Sequence, residues 1–151
     1  MKKQDIFNTV ALHLLAQKAK ATTAREDLSY SCRYRTASGL KCAVGCLIPD
    51  ELYTESLEGA SVHGIIMVAR HMATGSVDPI NDPYLKNVKI TKEQADLFMD
   101  LLEEDGSVHL LEELQVVHDV RQIHEWRMEL SKLAAEEHLD AAVLNTTQHE
   151  A

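Results

Sequence analysis

The chain has 151 residues, of which 45% are hydrophobic and 26% charged, and its formal net charge is −9 at pH 7. This length and apolar content predict one domain that folds without disulfides or a structural metal. The acidic balance argues against a general nucleic-acid binder, because such proteins place Lys and Arg along the phosphate backbone. The chain has no apolar run of the roughly 18 residues that a membrane helix needs, and no signal-peptide core. We therefore expect a cytoplasmic protein without membrane association.

Apolar residues at three- and four-residue spacing predict a mainly α fold, in which five or six helices form a bundle. The predicted helices run from Lys3 to Lys20, from Pro49 to Glu58, from Ser61 to Gly75, from Thr91 to Gly106, from Ser107 to His118 and from Asp119 to Leu139. Residues 1–139 are expected to form one helical domain, with a connector at 21–28 and a loop at 77–89. Residues 140–151 lack a pattern and are predicted to be a flexible tail.

Two of these helices begin with the pattern of a capping box, in which the N-cap residue and the residue three positions later bond each other's backbone. Thr91 precedes Gln94 with this spacing, and Asp119 precedes Gln122. Ser61 is a further N-cap candidate, because its hydroxyl can accept a bond from the first turn. We therefore assign Asp119 a structural role at the start of the last helix.

A β-hairpin is predicted near residues 31–45, inserted among the helices. A type I turn at 36–39, with Gly39 left-handed as a bulge, separates the side chains into an apolar and a cationic face. The apolar face holds Cys32, Tyr34, Leu40, Cys42 and Val44, and the other face holds Arg33, Arg35, Lys41 and Ala43. A register slipped by one residue would mix the two sets. Because two strands alone are only marginally stable, the apolar face is expected to pack on the helices.

Segment 28–49 is a basic island in an acidic chain, since it contains Arg33, Arg35 and Lys41 and no acidic residue. Three cations on one rigid face can hold the phosphates of a nucleotide, or an acidic patch on a partner protein, through charge-assisted hydrogen bonds. The alternative is a solvated face whose cations pair with neighbouring acids and do little else. These three residues are the predicted ligand- or partner-binding site.

Three cysteines and eight histidines suggest zinc, but the spacing Cys-x9-Cys-x3-Cys lacks the paired Cys-x2-Cys knuckles of common structural sites. The hairpin register places Cys32 and Cys42 among core side chains as small apolar residues. The pair His118-Asp119 resembles the doublet of metal-dependent phosphohydrolases, but Asp119 is already assigned as a helix cap. We therefore predict reduced thiols, no metal, no cofactor and no catalytic residue.

Several runs of the sequence resemble a family of small uncharacterised proteins encoded by tailed phages and prophages. These runs are Cys-Arg-Tyr-Arg at 32–35, Gly-Leu-Lys-Cys-Ala-Val-Gly-Cys-Leu-Ile-Pro-Asp-Glu-Leu-Tyr at 39–53, Leu-Gln-Val-Val-His-Asp at 114–119, and Trp126. The resemblance extends from about Ile6 to Leu139. It implies a nonstructural phage accessory protein, a class that includes inhibitors of host enzymes and defence systems and sponges for signalling nucleotides. It carries no activity, ligand or catalytic residue onto this chain.

The acidic balance and the implied phage context lead to one functional hypothesis and two alternatives. The leading hypothesis is a non-enzymatic accessory protein that binds a host protein in the host cytoplasm, helped by its acidic field. The first alternative binds an anionic nucleotide signal on the basic hairpin face. The second is a cysteine- or metal-dependent enzyme, in which Cys42 or Cys46 is served by a distant histidine such as His118. The sequence leaves the oligomeric state open.

Overall fold

The structure, a computed structural model, describes residues 1–24, 30–75 and 85–146, apart from the side chains of residues 24, 30 and 31. The predicted mainly α fold is confirmed. The helices of this described part are α1 (Lys3–Gln17), α2 (Val62–Thr74), α3 (Lys92–Leu101), α4 (Ser107–Val120), α5 (Trp126–Glu136) and α6 (Val143–Thr146). Two short antiparallel strands, β1 (Thr22–Ala24) and β2 (Tyr30–Cys32), accompany them.

Helix α1 packs against α4, α5 and α6 and supplies one side of the core. Its inward face carries four large apolar side chains that are fully buried, Ile6, Phe7, Val10 and Leu14. Burying each of these contributes about 1.5–3 kcal/mol, so this face fixes the position of the helices around it. The helix ends at Gln17, three residues before the predicted end at Lys20, because Lys18 adopts a left-handed conformation with a φ of 50°.

The predicted N-caps of α2 and α3 are present. The Ser61 hydroxyl accepts a hydrogen bond from the Gly64 N–H at 3.0 Å. Thr91 and Gln94 form both bonds of the capping box. These caps satisfy N–H groups that have no partner within their helix, which explains why both helices begin where the sequence predicts.

The predicted cap at Asp119 is wrong. Helix α4 continues through this residue to Val120, two residues past the predicted end at His118. The next helix is preceded by a 3-10 turn at Ile123–Glu125, and the capping box there joins Gln122 to Glu125. The Asp119 side chain is therefore available for a different role.

The strands of the predicted 31–45 hairpin lie elsewhere. β2 pairs with β1, which falls inside the predicted connector. Among the described residues, the segment 31–45 contributes a single further bridge, between Arg35 and Lys41. The turn between these two residues is present, and Gly39 has the predicted left-handed conformation with a φ of 91°. The two-stranded sheet thus precedes the turn instead of flanking it.

Side chains replace the strand partners that this turn lacks. The Gln17 amide of α1 donates to the Lys41 carbonyl at 2.9 Å and accepts from the Lys41 N–H at 3.0 Å. Gln115 of α4 accepts from the Val44 N–H at 3.0 Å. Because these backbone groups are satisfied without a strand, the chain turns into a 3-10 helix at Gly45–Leu47.

The predicted division into two faces is correct only near the turn. Tyr34, Cys42 and Val44 are buried as predicted. Cys32, predicted to be in the core, is exposed. Ala43, predicted on the opposite face, is fully buried. The alternation fails because the chain after the turn is not a strand and therefore lacks the two-residue period.

Two further boundaries differ from prediction. The helix predicted from Pro49 to Glu58 is a pair of 3-10 turns, Asp50–Leu52 and Glu55–Leu57. Helix α6 lies within the predicted tail and buries Leu144 in the core. The helical domain therefore continues past residue 139. Parts of the predicted connector (25–28), loop (77–84) and tail (147–151) lie outside the described residues.

Candidate functional site

The predicted binding residues Arg33, Arg35 and Lys41, which we call the cationic turn, lie beside acidic residues that follow them in the chain. Arg33 forms an ion pair with Glu55. Arg35 Nη1 lies 2.7 Å from Asp50 Oδ1, and Lys41 Nζ lies 3.5 Å from the same oxygen. The positive charge of this face is therefore offset by carboxylates of the protein itself.

Arg35 is the most deeply held of the three, with a side chain 14% exposed. Its Nη2 donates to the Ile48 carbonyl at 2.6 Å, and its guanidinium carbon lies 4.8 Å from the centroid of the Tyr53 ring. The Glu58 carboxylate accepts from the Arg35 N–H at 3.2 Å. These contacts are typical of a structural arginine. Ligand binding by the cationic turn stays a prediction.

A cavity of about 470 Å³ opens between β2, the N-terminus of α2 and one face of α4, and we call it the groove. Tyr34, Val62 and Val116 give it apolar walls. Val116 and Val120 lie one helical turn apart on α4 and are 36% and 63% exposed. A concave surface beside exposed apolar side chains is typical of a binding site.

Carboxylates line the groove around this apolar surface. They belong to Glu58, Glu112 and Asp119. Glu112 Oε1 lies 3.3 Å from His63 Nδ1 at the rim. The Glu112 side chain is 39% exposed and that of Asp119 is 32% exposed, so both carboxylates are partly open to solvent. Of the described residues that line the groove, Arg33 carries the positive charge, and it is already paired with carboxylates. The groove therefore presents an apolar surface with an excess of negative charge.

At the edge of the groove, the buried His118 and the partly exposed Asp119 form a polar cluster. The fully buried His118 accepts at Nε2 from the Ala21 N–H at 2.9 Å. Because an N–H can only donate, the ring proton is assigned to Nδ1, which donates to Asp119 Oδ1 at 2.6 Å. Gln115 Nε2 donates to the same oxygen at 2.8 Å. The His118 ring also stacks on Trp126, so the cluster joins α4 to α5 and to Ala21, the residue before β1.

Cys32 brings a third potential metal ligand to this cluster. The ligand atoms of Cys32, His118 and Asp119 lie within 4.8 Å of one another. A metal on His118 Nδ1 would displace its proton, while Nε2 would still accept from the Ala21 N–H. The ring would then carry no proton, whereas a metal-bound histidine is normally a neutral imidazole whose other nitrogen donates. The hydrogen bonds therefore fit a structural cluster better than a metal centre.

The environments of the cysteines favour protonated thiols. Although Cys32 is exposed as a residue, partial burial of its thiol raises the pKa to about 11, and the negative charge of Asp119 adds to the effect. Burial also raises the pKa of Cys42 to about 12 and that of Cys46 to about 12. Since the thiolate is the nucleophile, these surroundings give no support to a catalytic cysteine.

Sequence reasoning missed both the groove and the cluster. The available signal for the groove was the pair Val116 and Val120. These two apolar residues lie one turn apart and outside the inward stripe predicted for α4. The doublet His118-Asp119 was the signal for the cluster. It was set aside because Asp119 was assigned to a helix cap that does not form.

Comparison of the chain with protein-family models, with curated proteins and with solved structures gives no match. Within the described ranges, no helix combines the length and the apolar character that crossing a bilayer requires. The geometry of the groove is therefore the main basis for a functional conclusion.

Proposed function

We propose that the protein is a non-enzymatic binding protein whose groove holds a segment of a partner protein. The observation that carries this proposal is the exposed pair Val116 and Val120 beside an apolar cavity with acidic residues. The segment that fits this surface combines an apolar side chain, which would enter the cavity, with Lys or Arg residues, which would face the carboxylates.

Each half of this surface contributes in a different way. Burial of apolar area contributes about 25 cal/mol per Å², so the valines and the cavity walls would supply most of the affinity. Carboxylates at a rim accelerate encounter with basic partners and disfavour acidic ones. Glu112 and Asp119 would therefore determine which segments bind.

The proposed biological setting comes from the resemblance of segments 32–53 and 114–119 to phage and prophage accessory proteins. In that setting the partner is a host protein, met in the host cytoplasm, and binding would inhibit a host enzyme or a defence system. The acidic balance of −9 supports a basic partner, because the field of the whole chain favours association with positive charge.

Site-specific photocrosslinking tests this proposal. A benzophenone amino acid placed at Val120 should crosslink a bacterial partner protein in a host lysate, and raised salt should lower the yield because surface charges are screened. The matched control carries the same group at Met128 of α5, which is 50% exposed and lies away from the groove. That position should give no specific product.

A second substitution separates specific binding from nonspecific crosslinking. Val116→Asp in the Val120 crosslinking variant should abolish the product, because it places a charge on the apolar surface of the groove. Position 116 is partly exposed to water, so the new charge stays partly hydrated. Equal yields from the two crosslinking positions, or a product that survives Val116→Asp, would contradict the proposal.

A further inference from the structure

A second concave surface lies on another part of the molecule, where the end of α1 meets the start of α5. It is a shallow cavity of about 680 Å³, lined by Lys18, Lys20, Thr22, Gln122, Ile123 and His124. We call it the lysine hollow. From it we infer that the protein has an anion site, which takes the phosphate group of a small organic ligand.

The first step of the inference is that the lysines keep their charge available. No carboxylate of the described residues pairs with Lys18 or Lys20. Lys20 Nζ makes one long contact, 3.4 Å, to the Asp119 carbonyl. The Asp119 carboxylate is held by His118 and Gln115 instead. The two lysines that line the hollow therefore have no neutralising carboxylate among the described residues.

The second step concerns the other hydrogen-bonding groups. Within the described part of the chain, neither the Thr22 hydroxyl nor the ring nitrogens of His124 has a hydrogen-bond partner. The nearby Glu125 carboxylate is engaged by the Gln122 N–H at 3.0 Å. A hydroxyl, an imidazole and two ammonium groups around one concavity are donors suited to the oxygens of a phosphate.

The third step concerns the rest of the ligand. Ile123 is 41% exposed and lies in the same hollow as the charged groups. An apolar wall next to the cations suits a phosphate ester with an organic group, for example a nucleotide base. The net charge of the chain opposes anions, but at physiological salt charges are screened beyond about 8 Å. The distant acids are therefore screened from the hollow, whose nearby charges are those of Lys18, Lys20 and the hydrogen-bonded Glu125 carboxylate.

An alternative explanation is that Lys18 and Lys20 only complement the C-terminal end of α1. That interaction is worth about 0.3–1 kcal/mol at an exposed helix end and does not use up the hydrogen bonds of an ammonium group. It also gives no reason for Thr22 and His124, which line the same hollow and have no hydrogen-bond partner in the described part of the chain. An anion site accounts for all four groups.

The test is a titration of the full-length protein followed by amide chemical shifts, with inorganic phosphate and adenosine monophosphate as probes. Both probes should shift residues 18–22 and 122–124. Tighter binding of adenosine monophosphate would show that the site takes a phosphate ester and its organic group. Equal binding would show that it recognises the phosphate group alone. No shift in the hollow with either probe at millimolar concentration would overturn the inference.

Charge reversal supplies the matched control. Lys18→Glu/Lys20→Glu should weaken binding on the order of tenfold or more, because two charge-assisted contacts are lost. Lys86→Glu/Lys89→Glu makes the same change in net charge at two exposed residues elsewhere and should leave the affinity unchanged. Equal weakening in both variants would overturn the inference. Val116→Asp, the variant that disrupts the groove, should leave phosphate binding unchanged, so failure of the anion site is distinguishable from failure of the groove.

Discussion

The cationic turn and the lysine hollow contain similar positive side chains in opposite electrostatic situations. Arg33 and Arg35 are tied to the acidic residues Glu55 and Asp50, which follow them in the chain. Lys18 and Lys20 have no such partner among the described residues. The two regions show that a run of cations in a sequence does not define a positive surface, because the fold decides which cations receive carboxylates.

The comparison also separates structural cations from cations that are available for binding. Arg35 bonds a buried carbonyl and stacks on a tyrosine, whereas Lys18 is exposed at the end of a helix. We therefore expect substitutions in the cationic turn to affect stability, and substitutions in the lysine hollow to affect ligand binding alone.

The largest effect is expected for Gly45→Ala, next to the cationic turn. A Cβ at this position would lie 2.0 Å from the Tyr34 carbonyl oxygen, so the backbone would have to move. We expect a loss of at least about 3 kcal/mol in the free energy of unfolding, measured by chemical denaturation. Gly39→Ala is the control, with open space around it. It should cost only about 1–2 kcal/mol, from its left-handed conformation. Equal losses would show that the close approach is unimportant.

Arg35→Met should give the next largest effect. It removes the charged hydrogen bond to the Ile48 carbonyl while keeping most of the apolar stem. Loss of a bond of this kind costs about 1.5–3 kcal/mol, measured by denaturation. A change below about 0.5 kcal/mol, the range of ordinary surface substitutions, would mean that Arg35 is no more structural than the lysines of the hollow.

A smaller effect, of about tenfold in rate, is expected for alkylation of Cys32 at pH 8. With its pKa raised to about 11, the folded-state thiol should react about tenfold more slowly than an ordinary one, since fewer thiolates form although each is more nucleophilic. The rate should rise as pH approaches 11. Asp119→Asn should recover part of it by removing the negative charge. Peptide mass spectrometry measures the alkylation rate of Cys32 in the original chain and in Asp119→Asn, with Cys46 as the internal control. An unchanged rate in Asp119→Asn would indicate that this carboxylate does not face Cys32.

The smallest effect is expected for Lys18→Met and Lys20→Met, the same type of change as Arg35→Met. Each should alter the free energy of unfolding by less than about 0.5 kcal/mol, because neither lysine has a carboxylate partner in the described structure. Denaturation curves measured beside that of Arg35→Met make the comparison direct. A loss as large as that of Arg35→Met would assign the hollow a structural role.

The sequence was sufficient where local patterns decide the structure. The caps at Ser61 and Thr91 and the left-handed Gly39 were predicted because each depends on residues within one turn of itself. The buried stripe of α4 was predicted from helical spacing, which is also local. These features required no knowledge of the rest of the fold.

The sequence was insufficient where distant side chains satisfy the backbone. Gln115 bonds the Val44 N–H across 71 residues, and His118 bonds the Ala21 N–H across 97. The hydrophobic pattern of a helix or strand does not predict such contacts. The hairpin prediction failed for this reason. The exposed valines of α4 pointed to a surface, but the shape of the groove, which needs β2, α2 and α4 together, could not be predicted from them.

The Gln17 side chain has a consequence for the order in which the chain folds. It takes the place of a neighbouring strand for Lys41, and the two residues lie 24 positions apart. The bonds within the Gly39 turn are local, but Lys41 is held only when α1 is formed and docked, so ordering of the segment after the turn carries the entropy cost of a non-local contact. We expect this segment to become ordered late, together with the core, and a peptide limited to residues 30–48 to remain unfolded.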